Sequence, residues 1–286
     1  MMAEAAASTW KHWTEPSFVD VDGLSSAYRR KGDGDVLLYL HGAGLTRAWL
    51  PLYDELSHGF DVVVPEHPGF GDTALPDWLT GIDDLVLHYD ALLDALGLEH
   101  VHLVGHSLGG WIASYLAIFY PHRFDSLTLI TPLGLRVPDA PMTDPFRLSP
   151  ELALNTLLGE QSANYLEYFD RGDETEAMIH AYAESITFAR LLWNPRYDVK
   201  LDRRLTRIQT PTLVLAAEDD RLIPSAHPKR WAELIPGSEL RVVAGTRDEP
   251  TGHLVIIQQP EALAELIGSH VHASVAPSSG AETAAR

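Results

Sequence analysis

The sequence predicts an α/β protein, with a mostly parallel central sheet, helices on both faces and a helical insertion capping one end. Three observations predict this class. Short apolar runs of strand length alternate with segments whose leucines recur at helical spacing. The opening strands are separated by tight glycine turns, as antiparallel edge strands are. Residues 134–207, an interval between two consecutive strands, make too long a stretch for a plain loop in a compact unit.

In chain order, Ser17–Val21 and residues 25–30 are short strands joined by an Asp22-Gly23 turn. A second turn, Lys31-Gly32-Asp33-Gly34-Asp35, leads into Val36–Leu40. The alternation of strand and helix then begins. Asp61–Pro65 is a buried strand, and residues 82–96 set Leu85, Leu92, Leu93 and Leu96 on a helical face. Residues 101–104 form the next strand, followed by a helix over 108–120 that Pro121 closes. Residues 126–130, 212–216 and Glu239–Val243 are further strands, and a final helix opens over 261–267. The insertion carries Pro138, Pro141, Pro145 and Pro150, then helical patterns at 151–158 and 177–192. No internal repeat is visible. The reading gives a core of residues 1–133 and 208–273, a helical cap of 134–207, and a disordered tail of 274–286.

The formal net charge of −19 excludes a phosphate backbone as partner and disfavours anionic membranes. With no cysteine in the chain, disulfides, thiol nucleophiles and thiolate metal sites are ruled out. The stretch from Met1-Met2-Ala3-Glu4 has an early acid and neither a basic nor a continuous apolar region, so it does not read as a signal peptide. No run approaches the ~18 apolar residues that span a bilayer. The expectation is a cytoplasmic protein acting on a small molecule, with no nucleic acid or membrane partner and no cofactor or metal; the oligomeric state is open.

The chemistry-bearing stretch is Gly105-His106-Ser107-Leu108-Gly109, which matches G-x-S-x-G between a strand and a helix. A turn that sharp forces strained backbone on its central residue and needs small flanking residues. It also sets Ser107 at a helix N-terminus, which favours developing negative charge. A serine hydroxyl needs a base, and the base needs an acid to orient it. His253, in Thr251-Gly252-His253 after the last strand, lies at the same sheet end. The acid is expected after the preceding strand, in Glu218-Asp219-Asp220-Arg221, where Asp220 is the choice and Asp219 the alternative.

At this point the chain resembles the α/β-hydrolases, from about Ser17 to Ile267. The resemblance rests on His41-Gly42-Ala43-Gly44, Pro68-Gly69-Phe70-Gly71, the serine turn, and the late Asp and His in family order. It implies an α/β-hydrolase fold with a helical cap, in the serine-nucleophile branch. Ala217-Glu218-Asp219-Asp220 matches the family's G-x-x-D stretch with alanine for glycine, which supports Asp220. The resemblance also implies an oxyanion hole formed by the amides of Ala43 and Leu108, with Gly44 as substitute for the first. The implied activity is hydrolysis of a small or medium carboxylic ester through an acyl-enzyme.

Other residues weigh on that reading. His100, His102 and His106 look like a metal cluster, but His106 lies beyond the strand that carries the other two and no acidic ligand stands near. Pro68-Gly69-Phe70-Gly71 reads as a tight turn. In the cap, Phe188, Arg190 and Trp193 are candidate substrate-binding residues, Arg190 for a substrate carboxylate. That would suit relatives that hydrolyse carbon–carbon bonds of ring-fission products. Those relatives have asparagine before the serine and tryptophan after the histidine, where this chain has His106 and Leu254. Ser107 argues against the epoxide hydrolases and haloalkane dehalogenases, which use aspartate. Cofactor-free perhydrolases share the serine triad. A ligand-binding protein on a hydrolase scaffold is the other rival, though a binder has no need of Ser107, Asp220 and His253 together.

Overall fold

The computed structural model describes residues 10–169, 173–246 and 251–275. Eight strands form one sheet: β1 (Ser17–Val21), β2 (Leu24–Lys31), β3 (Val36–Leu40), β4 (Asp61–Pro65), β5 (Val101–His106), β6 (Phe124–Ile130), β7 (Thr212–Ala217) and β8 (Glu239–Val243). Their order is β1-β2-β4-β3-β5-β6-β7-β8. β1 pairs with β2 and β2 with β4 antiparallel, and all later neighbours are parallel. The Asp22-Gly23 turn has positive φ at both residues, 51° and 86°, as a two-residue hairpin requires.

The helices are α1 (Pro51–Leu56), α2 (Ile82–Ala95), α3 (Leu108–Phe119), α4 (Pro150–Leu158), α5 (Glu174–Leu192), α6 (Leu201–Leu205), α7 (Ala226–Leu234), α8 (Val255–Gln258) and α9 (Pro260–Val275). The central strands β3 to β7 are mostly buried on both faces, so they are largely apolar and their residues alternate between two cores. From β3, Leu38 and Leu40 join the core under α2 and α3, while Leu37 and Tyr39 join the one under α1 and α9.

The expected elements lie where the apolar periodicity put them, within a few residues. Three differences are informative. β5 runs on through Gly105 and His106, because the parallel register with β6 continues to His106↔Ile130. The short helix α7 carries Pro228 in its first turn, where a missing N–H goes unused, and it is anchored by fully buried Trp231. α9 extends to Val275, so residues 274 and 275 belong to a helix; the rest of the expected tail, 276–286, lies outside the described residues. Between β6 and β7 the insertion holds α4, α5, α6 and two 3-10 turns. Ser149 caps α4 and Asp173 caps α5, each side chain accepting first-turn N–H bonds. Among the described residues, no helix is long and apolar enough to cross a membrane.

Candidate active site

Ser107 sits between β5 and α3 with φ 55° and ψ −114°, a backbone conformation that side chains rarely adopt. The surrounding glycines make that turn sterically feasible. A Cβ on Gly105 would collide with Gly109 O, and one on Gly109 would collide with Leu40 O. The strain is held by backbone hydrogen bonds. Ser107 N–H donates to Ile130 O at 2.9 Å, and Ser107 O accepts from Gly110, Trp111 and Leu133.

His253 reaches Ser107 from the loop between β8 and α8. Its Nε2 is 2.8 Å from Ser107 Oγ, and its Nδ1 is 2.8 Å from Asp220 Oδ2. With a carboxylate at Nδ1, that nitrogen carries the proton and Nε2 is left to accept from the hydroxyl. Asp220 is held in turn, since its Oδ1 accepts from the N–H groups of Leu222 and Ile223 at 2.9 and 2.8 Å. Asp219 is exposed and contributes only its backbone N–H, donated to Thr251 O. The structure thus sets Asp220, and not Asp219, against the imidazole. Asp220→Asn is expected to lower kcat by about 10⁴-fold through the wrong tautomer. Asp219→Asn should stay within about twofold of the parent, since an exposed surface change seldom matters. Steady-state kinetics on the two variants side by side would expose a swapped assignment.

The strand-end loop 41–47 faces this serine. Neither the Leu108 nor the Ala43 N–H has an acceptor among the described residues, and Leu108 opens α3 beside Ser107. The loop is shaped by three neutral histidines. His41 Nδ1–H donates to Gly42 O at 2.6 Å, and its Nε2 accepts the His67 N–H. His67 Nε2–H donates back to His41 O at 2.7 Å, and its Nδ1 meets Tyr89 OH. Burial lowers both imidazoles, His41 to about 4 and His67 well below the ordinary value.

The third, His106, is a residue whose role sequence reasoning missed. Its Nε2–H donates to His253 O at 3.0 Å, and burial lowers its pKa to about 3. Its ring occupies the space a side chain at position 42 would need, since a Cβ on Gly42 would stand 2.9 Å from His106 Nδ1. A glycine at position 42 paired with a bulky residue before the serine is the signal that could have found it. His106 carries the backbone of His253, so His106→Ala is expected to lower kcat about tenfold or more with little change in KM. A KM that rises in step with the fall in kcat/KM would show instead that the ring shapes the pocket.

His100 and His102 do not join His106. His102 Nδ1 meets Ser126 Oγ at 2.9 Å, and His100 is exposed beside Asp125. Among the described residues, no group of three His, Asp or Glu is placed to hold a metal ion.

The serine and His253 are almost wholly buried, 5% and 2% exposed. A pocket of about 510 Å³ opens between α4, α5 and the core loops, with Ala43 on its floor. Leu45, Phe70, Leu154, Leu157, Phe169 and Phe188 give it apolar walls. Leu157 ties the pocket to the catalytic loop, for its carbonyl accepts the Leu254 N–H at 3.1 Å. The cap helix α5 seats on the Pro68-Gly69-Phe70-Gly71 turn: Thr187 Oγ1 donates to Gly69 O at 2.8 Å, and a Cβ on Gly69 would run into Thr187 at 2.7 Å.

Of the expected cap residues, Phe188 lines this pocket, and Arg190 and Trp193 do not. The correction follows from helix geometry. Pocket-lining Ala181, Glu184, Ser185 and Phe188 share one face of α5, and Arg190, two residues on from Phe188, projects from the opposite side. Arg190 is exposed and donates to Asp77 O at 3.1 Å, while Trp193 is 62% exposed and packs on Phe146.

A serine, an imidazole and a carboxylate in this relay, at the carboxyl ends of parallel strands, are the equipment of a hydrolase that works through a nucleophilic oxygen. The model of the alpha/beta hydrolase family matches residues 37–266, and the chain belongs to that family. It is 28% identical over 275 residues to a 2-hydroxy-6-oxo-2,4-heptadienoate hydrolase of Pseudomonas putida, covering 88% of this chain and 94% of that one. It is 27% identical over 268 residues to the dihydrolipoyllysine-residue acetyltransferase component of an acetoin cleaving system of Cupriavidus necator, covering 89% of this chain and 68% of that one. Among solved structures, a meta-cleavage product hydrolase from Pseudomonas fluorescens shares the fold, with a TM-score of 0.74 and 24% identity over 90% of this chain and 98% of that one.

Proposed function

We propose that this hydrolase cleaves a small or medium carboxylic ester through an acyl-enzyme. The observation that carries the reading is the unbroken Ser107–His253–Asp220 relay, with both contacts at 2.8 Å, beside an apolar pocket whose floor is Ala43. Ser107 Oγ attacks the ester carbonyl carbon as His253 Nε2 takes its proton. The tetrahedral oxyanion receives the amides of Ala43 and Leu108, each worth about 3 kcal/mol of barrier in comparable enzymes. The imidazolium, steadied by Asp220, then protonates the leaving alcohol, and water repeats the cycle on the acyl-enzyme. The residues supply every proton transfer in this cycle.

A second reading follows from the Pseudomonas putida relative, whose name gives a ring-fission product as its substrate. Carbon–carbon hydrolysis of such an anion calls for a cation near the bound carboxylate. Among the described residues no Lys, Arg or His lines the pocket beside Ala43, and the guanidinium of Arg190 is engaged on the far side of α5. The ester reading is therefore favoured. Purified enzyme assayed in parallel with p-nitrophenyl butyrate and 2-hydroxy-6-oxo-2,4-heptadienoate separates them. The expected result is a kcat/KM for the ester at least 100-fold the higher. The reverse ratio would install the carbon–carbon reading, and no turnover of either would point to a binding protein.

A further inference from the structure

The base and the acid of the relay stand on separate loops, His253 after β8 and Asp220 after β7. One side chain, that of Thr251, bonds both to the end of β8 and to the first residue after β7. We propose that Thr251 is a positioning residue for the relay, whose hydroxyl and carbonyl set the distance between Asp220 and His253. The inference rests on the Ser107–His253–Asp220 relay of the reading above and adds what holds its two halves in register.

Thr251 is fully buried, two residues before His253. Its hydroxyl donates to the carbonyl of Val243, the last residue of β8, at 2.9 Å, and the same oxygen accepts the Glu218 N–H at 3.1 Å. Its main-chain carbonyl accepts the Asp219 N–H at 2.9 Å. Glu218 likewise stands two residues before Asp220, so the two loops leave a shared anchor and meet again at the 2.8 Å contact of carboxylate and imidazole. Threonine suits this place. Valine would fill the same space but could bond to neither strand end, and the branch at Cβ restricts χ1, so that Oγ1 is held toward both partners. The other ties on the histidine loop lie elsewhere. His106 holds the His253 carbonyl, and the Gly252 N–H donates to Gln258 Oε1 at 2.7 Å. Neither of those partners belongs to the loop of Asp220, whereas both Thr251 contacts to residues 218 and 219 do. Misplacing a reacting group by about 1 Å can cost about 10²-fold in rate, so an anchor of this kind acts on the chemistry. It is not what joins the strands, because the Glu218 N–H also reaches Val243 O directly at 3.1 Å.

The test follows the rate at which diisopropyl fluorophosphate labels Ser107, read by intact-protein mass spectrometry. In that reaction Ser107 Oγ bonds to phosphorus, fluoride leaves and His253 Nε2 takes the hydroxyl proton, so the rate reports the relay whatever the natural substrate. Thr251→Val keeps the shape and removes the hydroxyl; it is expected to fold and to be labelled about tenfold or more slowly. Thr251→Ser restores the hydroxyl and should stay within about threefold of the wild type. In an Asp220→Asn background Thr251→Val should change the rate by less than about twofold, because the contact it positions has already been altered. A residue serving the fold alone would behave differently. Thr251→Val would then lower the melting temperature and leave the labelling rate of the folded protein unchanged, and that result would overturn the inference. Equal slowing by Thr251→Val and Thr251→Ser would overturn it too, as would full additivity with Asp220→Asn. Should Thr251→Val fail to fold, Thr251→Ala gives the same comparison with Thr251→Ser. Wild-type labelling without turnover of p-nitrophenyl butyrate would sink the ester reading alone, and no labelling of the wild type would overturn both.

Discussion

Ser107→Ala is expected to lower kcat/KM for p-nitrophenyl butyrate by about 10⁴- to 10⁶-fold, the range for loss of the nucleophile in a serine relay. The fold should be left intact, because the turn is held by main chain. The Ser107 N–H bond to Ile130 and the three bonds accepted by its carbonyl do not involve the hydroxyl. Removing Oγ leaves His253 Nε2 without its buried partner, a loss of about 1–3 kcal/mol that circular dichroism and a melting curve would register as a modest shift. His253→Ala should be nearly as damaging, and the double variant no worse than either, because the two groups act as one unit. Intact-protein mass spectrometry after rapid acid quench gives a second readout. The wild type should carry the added acyl mass, and Ser107→Ala should not. A variant that retained a tenth of the activity, or still acquired the acyl group, would place the nucleophile elsewhere.

This relay was open to sequence reading because each of its parts is bound to a local rule. Ser107 is marked by the glycines that its own turn requires, and that requirement is visible in the clashes a Cβ would make at Gly105 and Gly109. His253 and Asp220 are marked by lying in the connections that follow strands whose order along the chain could be read from apolar runs. Nothing comparable marks the cap. Along α5, Glu184 and Arg190 look alike as charged residues in an apolar stretch, and only the docking of Thr187 on Gly69 decides which faces the pocket. That choice is made by long-range packing, and the helical period alone allowed either. His106 was obscured differently. Its partner is a backbone carbonyl, His253 O, far along the chain, and no side-chain pattern encodes such a contact. α7 was hidden by its proline, which reads as a breaker until its place in the first turn is known.

The same buried histidines make the protein sensitive to acid. His41, His88 and His106 are lowered by burial from the ordinary 6.5 to about 4, about 4 and about 3. In each case the unfolded chain takes up a proton near pH 6.5 and the folded one does not, so the unfolded state binds protons and is stabilised relative to the folded one as the pH falls. The contribution is complete above pH 6.5 and declines by about 1.4 kcal/mol per pH unit and per group until the folded value is reached. By pH 4 each histidine has withdrawn about 3 kcal/mol, and together they match the whole stability of an ordinary domain, about 5–15 kcal/mol. Glu66 acts in the opposite sense, since burial raises it, but it is one group against these three and His67, which burial also lowers. Melting temperatures from pH 7.5 to 4.5 should therefore be level at first and fall steeply below pH 6.5, with unfolding before pH 4. His88 offers the control, for its ring packs on Trp78 and Tyr89 and not on Ser107, His253 or Asp220. His88→Leu should flatten the slope by about 1.4 kcal/mol per pH unit while leaving the activity at pH 7.5 unchanged. A melting temperature indifferent to pH across this window would mean that the imidazoles find partners or water in the protonated state, and that the neutral network around His41 and His67 is not what holds loop 41–47 in shape.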